Sequence, residues 1–203
     1  MRNRNRVVLL DLGGVLADLG QPAKSIGLDL TEEGFWEVWL NSPAVRAFET
    51  GELQAHEFFP RIAREFGQAD DAGFESQLRA WQLPLYPGSE EMIQSVPEDC
   101  SVALLSNTNA MHWEQVVSAT DIFSTFDHLF LSFETGLYKP TTESFEQVIT
   151  HFDCEPGDVL FLDDSPRNVA GASRIGIEAC QTRGVDEART IIAEKLEGGR
   201  HVD

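Results

Sequence analysis

Asp11 stands directly behind the apolar run Val7-Val-Leu-Leu10, Ser106-Asn107 behind Val102-Ala-Leu-Leu105, and Asp163-Asp164 behind Val159-Leu-Phe-Leu162. Lys139-Pro140 follows a fourth such run, His128-Leu-Phe-Leu131, after a short loop. Carboxylates, a hydroxyl, an amide and an ammonium brought to one edge are what a magnesium-dependent phosphoryl-transfer site requires. Mg2+ is a hard cation that takes carboxylate, carbonyl and water oxygens. A carboxylate can also attack phosphorus, splitting a difficult hydrolysis into two easier steps through an aspartyl-phosphate. The five histidines show no ligand spacing; His112, at a helix start, and His128, near a strand, read as structural.

These groups share an edge only if the apolar runs are parallel strands. Short, continuous, β-branched runs are how strands buried on both faces read. A weaker run, Ile177-Glu-Ala-Cys180, comes last. Between them lie helical patterns: Phe145, Val148, Ile149 and Phe152 make one stripe, and Ser165-Pro166 offers an N-cap with proline at the first helical position, stopped by Gly176. Glu155-Pro-Gly-Asp158 reads as a turn. The alternation predicts a three-layer α/β fold on a parallel sheet, a Rossmann-like core, whose ligands bind beyond the carboxyl ends of the strands. Residues 17–85 break the alternation. Phe35, Trp36, Trp39 and Leu40 form one helically spaced cluster, and Phe59, Ile62, Ala63 and Phe66 another. The turn signal Leu85-Tyr-Pro-Gly88 closes the segment before a helix beginning near Ser89. The expected organisation is an α/β core over 1–16 and 86–203, with a helical insert over 17–85.

The 203 residues carry 34 acidic and 15 basic side chains, a formal net charge of −19. Such a surface repels phosphate backbones and anionic lipid, which argues against nucleic-acid or membrane-surface binding. An anionic substrate then needs a local cation to overcome the field of the molecule. No apolar run approaches the roughly 20 residues of a membrane span, and the stretch after the basic Met1–Arg6 is too short for a signal peptide. Cys100, Cys154 and Cys180 are too few and scattered for a disulfide framework or a zinc site and read as small buried hydrophobes. The expected location is cytoplasmic. The tail Gly198–Asp203 reads as frayed.

Leu10-Asp-Leu-Gly-Gly-Val15, Leu104-Leu-Ser-Asn-Thr108, Tyr138-Lys-Pro140 and Phe161-Leu-Asp-Asp-Ser165 resemble, in order, the four motifs of the haloacid dehalogenase-like hydrolase superfamily. The resemblance spans the whole chain, including a helical cap after the first motif. The spellings are similar to the branch containing bacterial glucose-1-phosphate phosphatase. It implies that Asp11 is the nucleophile and a Mg2+ ligand, that the Gly13 carbonyl is a second ligand, and that Asp164 binds the metal, directly or with Asp163 through water. Ser106 and Asn107 would hold the phosphoryl oxygens, with the Gly13-Gly14 backbone beside them. Lys139 would neutralise the nucleophile and the developing charge.

One position departs from the pattern. Most phosphatases of the superfamily carry a second aspartate two residues after the nucleophile as general acid and base, and here that position is Gly13. Such a group is worth roughly 10²–10⁴ in rate, or about 3–5 kcal/mol of barrier. An acidic leaving group, such as the anomeric oxygen of a sugar 1-phosphate, eases the first step. Asp18, near the cap hinge, is the candidate to supply the missing base, against a reading as a solvated or capping carboxylate. In the cap, Trp36, Trp39, Phe48, Phe58 and Phe59 read mainly as packing, with a few facing the site. Arg46, Glu49 and His56 are the polar candidates for sugar hydroxyls. The leading expectation is a Mg2+-dependent phosphatase of a small phosphorylated metabolite, with sugar phosphates among the candidates, acting as a monomer or homodimer. The competing readings are a metal-independent 2-haloacid dehalogenase, which the paired Asp163-Asp164 argues against, and a non-catalytic binder of a phosphorylated ligand. A phosphomutase is disfavoured by the glycine at the acid position.

Overall fold

The computed structural model describes residues 6–69 and 71–197. The expectations for the first five residues and for Gly198–Asp203 lie outside them. Strand β1 (Arg6–Leu10) is followed by helices α1 (Pro22–Ser25), α2 (Glu32–Asn41), α3 (Pro43–Glu49), α4 (Ala55–Glu65), α5 (Asp71–Ala80) and α6 (Ser89–Gln94). Then come β2 (Cys100–Ser106), α7 (Ala110–Ser118), β3 (His128–Leu131), the single turn α8 (Ser132–Thr135) and α9 (Thr142–Phe152). The chain ends with β4 (Val159–Asp163), α10 (Pro166–Arg174), β5 (Glu178–Gln181) and α11 (Gly184–Glu197). Short 3-10 turns occupy Ile122–Thr125 and Pro156–Asp158.

The five strands form one sheet in the order β3-β2-β1-β4-β5, and every pair is parallel. Leu10 lies level with Leu104 on one side and Leu162 on the other. The three strands that carry Asp11, Ser106-Asn107 and Asp163-Asp164 are therefore adjacent and finish together. The chain leaves β1 towards β2 and returns on the other side as β4, so the crevice opens where the strand order reverses.

Period-two alternation divides the strand residues between two faces. Val8, Leu10, Val102, Leu104, Leu160 and Leu162 pack on Met92 and Ile93 of α6 and on Val185, Ala188 and Ile192 of α11. Val7, Leu9, Ala103, Leu105 and Phe161 pack on Phe145 and Val148 of α9 and Ala172 of α10. Burying side chains of this size gains roughly 1.5–3 kcal/mol each, which explains why strands without amphipathic alternation belong in the middle layer.

The helices α1–α5 enclose their own apolar cluster, built around Phe35, Trp39, Phe58, Phe59, Ile62, Phe74 and Trp81. Local chemistry breaks this stretch into separate helices. Thr31 caps α2 by accepting the Gly34 N–H at 3.0 Å, and Ser42 ends α2 while capping α3 through the Val45 N–H at 3.0 Å, with Pro43 at the first helical position. Leu40, expected in the cluster, is 59% exposed. The segment leaves and rejoins the sheet at one point: Ala17 bridges Leu85, and the Asp18 N–H donates to the Pro84 carbonyl at 2.8 Å. Met111 of α7 joins the insert's cluster, and the Trp81 indole N–H donates to the Leu19 carbonyl at 3.0 Å, so the helices sit over the ends of the strands.

Candidate active site

Asp11 is the first residue beyond β1, and its N–H still donates to the Leu162 carbonyl of β4 at 2.9 Å. Its side chain is held by that register beside Asp163, the last residue of β4. Between them lies the ammonium of Lys139, 1% exposed, with Nζ 2.8 Å from Asp11 Oδ1 and 2.7 Å from Asp163 Oδ2. Burial alone would lower the pKa of Lys139, but the two carboxylates push it up, so the lysine stays charged. The Asp11 carboxyl is raised well above the ordinary range, by burial first and then by Asp163, with Lys139 opposing.

The bonds distribute the work among the carboxylates. Asp163 is fully buried and saturated: Oδ1 accepts the Ser165 N–H at 2.8 Å and Asn168 Nδ2 at 3.0 Å, while Oδ2 accepts Lys139 and Asn168 Nδ2 at 3.1 Å. Asp11 Oδ1 accepts the Leu12 N–H at 2.7 Å as well as Lys139, and among the described residues no donor is directed at Oδ2. Asp164 is half-buried and raised by burial and by Asp163. Oxygens of Asp11, Asp163 and Asp164 lie within 4.8 Å of one another, a hard-oxygen set that suits Mg2+. A cation there would relieve the mutual repulsion that raises Asp11 and Asp164. Because Asp163 is already committed to Lys139 and Asn168, the oxygens free to meet a cation directly belong to Asp11 and Asp164.

The other residues named from sequence divide. Ser106, 3% exposed, lines the cavity. Asn107 lines it too, but its side chain is bound to the backbone of Lys139, with Nδ2 donating to the carbonyl at 3.0 Å and Oδ1 accepting the N–H at 2.8 Å. Those two bonds position the lysine. Gly14 has no donor to spare either: its N–H goes to the Ala17 carbonyl and its carbonyl accepts from Gly184. Its φ of +73° and the approach of Asp164 explain the glycine, since a Cβ would fall 2.5 Å from Asp164 Oδ2. At Gly13 a Cβ would lie 2.9 Å from Leu19 Cδ2, so an apolar side chain occupies the space beside it. Asp18 is exposed, accepts the Gly20 N–H at 2.8 Å, interacts with Tyr86 and does not line the cavity, the placement of a turn carboxylate. His56 is likewise exposed and outside the cavity. Ser165 precedes α10, but its hydroxyl makes no capping bond.

Above the floor, between the insert and the core, lies a half-open cavity of about 630 Å3, lined by Asp11, Ser106, Lys139 and Asp164 below and by Trp36, Trp39, Arg46, Glu49, Trp81 and His112 around it. Glu49 is buried, and burial raises its pKa to about 7 against the opposing pull of Tyr138, Trp39 and Lys139. His112 is buried against Trp81, ring centroids 4.8 Å apart, and burial lowers its pKa to about 4. Sequence reasoning missed Asn168, although a polar residue on the first turn after Asp163-Asp164-Ser165-Pro166 was the available signal. It also missed the part of Tyr138, which interacts with both Glu49 and Asn107.

Residues 6–176 match the haloacid dehalogenase-like hydrolase family. A drimenol cyclase of Aspergillus calidoustus is 26% identical over 189 residues, covering 91% of this chain, which spans only 35% of that longer protein. A sesquiterpene phosphatase of Aspergillus oryzae is 22% identical over 85% of this chain and 87% of its own length. A D-ribitol-5-phosphate phosphatase of Bacteroides thetaiotaomicron is 26% identical, covering 86% and 90%. A solved enzyme of the same family and organism, in complex with magnesium and inorganic phosphate, superposes with a TM-score of 0.71 at 25% identity over 88% of this chain and 94% of that one.

Proposed function

The chain belongs to the haloacid dehalogenase-like hydrolase family, and from that premise we propose that it is a Mg2+-dependent phosphatase of a small phosphorylated metabolite, with sugar phosphates the first class to screen. The observation that carries the reading is the Asp11–Lys139–Asp163 arrangement beside Asp164 at the floor of a deep cavity. Relatives that are phosphatases support it.

A carboxylate oxygen of Asp11 attacks; it forms the bond to phosphorus as the ester oxygen leaves with the bonding pair and takes up a proton from solvent water. Lys139 holds Oδ1, which fixes the carboxylate's orientation and places a cation beside the developing charge in a poorly screened site. Asp163, Asn168 and Asn107 hold Lys139 in that place. Mg2+ between Asp11 and Asp164, with the Gly13 carbonyl as a further ligand, would supply Lewis-acid neutralisation of the phosphoryl oxygens. Water then attacks phosphorus, restores the Asp11 carboxylate and releases inorganic phosphate. A halide-displacing reading leaves the half-buried Asp164 beside Asp11 without a purpose, at a desolvation cost.

A phosphate-release screen with Mg2+ over sugar and polyol phosphates, with Asp11→Asn as the blank, tests this. Turnover is expected to vanish in Asp11→Asn and in EDTA. Because Gly13 supplies no base for the attacking water, the second step is the slow one. Rapid-quench assays should then show a burst of alcohol stoichiometric with enzyme before steady phosphate release. Metal-independent turnover, or an active Asp11→Asn, overturns the reading.

A further inference from the structure

The cavity's upper wall is mostly indole and aliphatic surface: Trp36, Trp39, Trp81, Leu19 and Leu83. Into that surface is set one carboxyl group, Glu49 at the end of α3, only 6% exposed. Among the described residues no lysine or arginine pairs with it. Lys139 is taken by Asp11 and Asp163, and the Arg46 guanidinium lies over the Tyr138 ring, 5.4 Å from its centroid. Glu49's polar neighbours are the Tyr138 hydroxyl and the Trp39 indole N–H. The Trp81 indole N–H is already given to the Leu19 carbonyl. A second polar group in this wall, His112, is incomplete. Asn109 Oδ1 accepts the His112 N–H at 3.0 Å, which turns Nδ2 towards His112 Nδ1 at 3.2 Å. The neutral ring therefore carries its proton on Nε2, which has no partner among the described residues.

A wall of this kind discriminates among alcohols. A prenyl or other hydroxyl-free group packed against Glu49 would return no hydrogen bond to its carboxyl oxygens, and an unpaired buried polar group is costly. A polyol lays C–H faces on the indoles and presents O–H donors to the carboxyl. The position fits: Tyr138, Glu49's neighbour, immediately precedes Lys139, so Glu49 is one side chain removed from the phosphoryl-binding floor, where the alcohol half of an ester would lie.

Resting on the phosphatase reading above, we propose that Glu49 is a specificity-determining residue that accepts a hydrogen bond from a hydroxyl of the substrate's alcohol half, so that the chain selects sugar and polyol monophosphates over prenyl and aryl ones. The selection sets it apart from its sesquiterpene-phosphatase relative and beside the ribitol-5-phosphate one.

The test is a cycle over enzyme and ligand. Probes are ribitol 5-phosphate, glucose 1-phosphate, their deoxy analogues, phenyl phosphate and a C15 prenyl monophosphate. The kcat/KM of Glu49→Gln for the preferred polyol phosphate is expected to fall at least tenfold. One deoxy analogue should lose a similar factor with the unaltered chain and little more with the variant. Glu49→Leu should narrow the gap between polyol and prenyl phosphates. The proposal is overturned if Glu49→Gln lowers every probe by the same factor, or if the prenyl or phenyl ester is preferred by the unaltered chain. Binding, followed by tryptophan fluorescence in Asp11→Asn with Mg2+, gives a readout without turnover. If no probe is hydrolysed, the catalytic reading falls. The inference then stands only if polyol phosphates bind preferentially and Glu49→Gln removes the preference, and an absent or unranked response overturns it.

Discussion

Glu49 and His112 face the same cavity and titrate in opposite senses. The Glu49 carboxyl rises from 4.5 to about 7 on burial, so the folded state holds its proton more tightly than the unfolded one. Its contribution to stability is present below pH 4.5 and lost as pH rises towards 7. His112 falls from 6.5 to about 4, so its contribution is present above pH 6.5 and lost as pH falls towards 4. Each amounts to something on the order of 3 kcal/mol across its window, and over the shared range the two slopes nearly cancel. Relative to the unaltered chain, Glu49→Gln should gain stability as pH rises from 4.5 to 7, and His112→Gln should lose it from 4 to 6.5. Urea midpoints across that range check both; differences independent of pH would show that neither group is held as described. This level of detail was the least legible in the sequence. Asp11, Asp163, Asp164 and Lys139 were readable because strand ends converge whatever their side chains do. The directions taken by Asn107, Gly14, Asp18 and His56 were not readable, because which way a side chain or an N–H points is not encoded in spacing.

Among the elements, α10 determines how the lysine is held. Asn168 on its first turn binds both oxygens of Asp163, and Gly171 on the next turn lets the helix lie against the Lys139-Pro140 loop. A Cβ at Gly171 would stand 2.7 Å from Pro140 Cβ and 3.0 Å from the Pro140 carbonyl oxygen, and the loop cannot yield without moving Lys139. Gly171→Ala should therefore cost about 1–3 kcal/mol and reduce turnover. Gly157→Ala, where a Cβ meets nothing within 4 Å, should change neither. Equal melting temperatures for the two variants would refute this role for α10. The elements themselves were largely legible, because a central parallel strand must be apolar on both faces and the interruptions must be helices. The Ser42-Pro43 signal that divides α2 from α3 was equally available and went unread. The Ser165-Pro166 signal was read, yet Asp163 Oδ1 takes the Ser165 N–H, and the helix starts without a side-chain cap.

At the scale of the molecule, the net charge of −19 opposes the approach of any phosphate ester. Lys139 cannot offset it at a distance, being 1% exposed and already flanked by two carboxylates. Exposed cations at the cavity mouth are Arg46 and Arg167. Two fields of opposite sign therefore act on an arriving substrate. The Debye length is about 30 Å at 0.01 M salt and about 8 Å at 0.15 M, so salt screens the repulsion of the whole surface before it screens contacts inside the cavity. If the global field governs encounter, kcat/KM should rise several-fold as KCl goes from about 10 to about 150 mM, with kcat unchanged and Mg2+ held constant. If the arginines at the mouth govern it, kcat/KM should fall instead, and Arg46→Gln should flatten the dependence. The first outcome is expected: the chain carries 34 acidic against 15 basic side chains, among the described residues only two exposed arginines line the cavity, and long-range encounter responds to the sum of charges before it responds to the nearest ones.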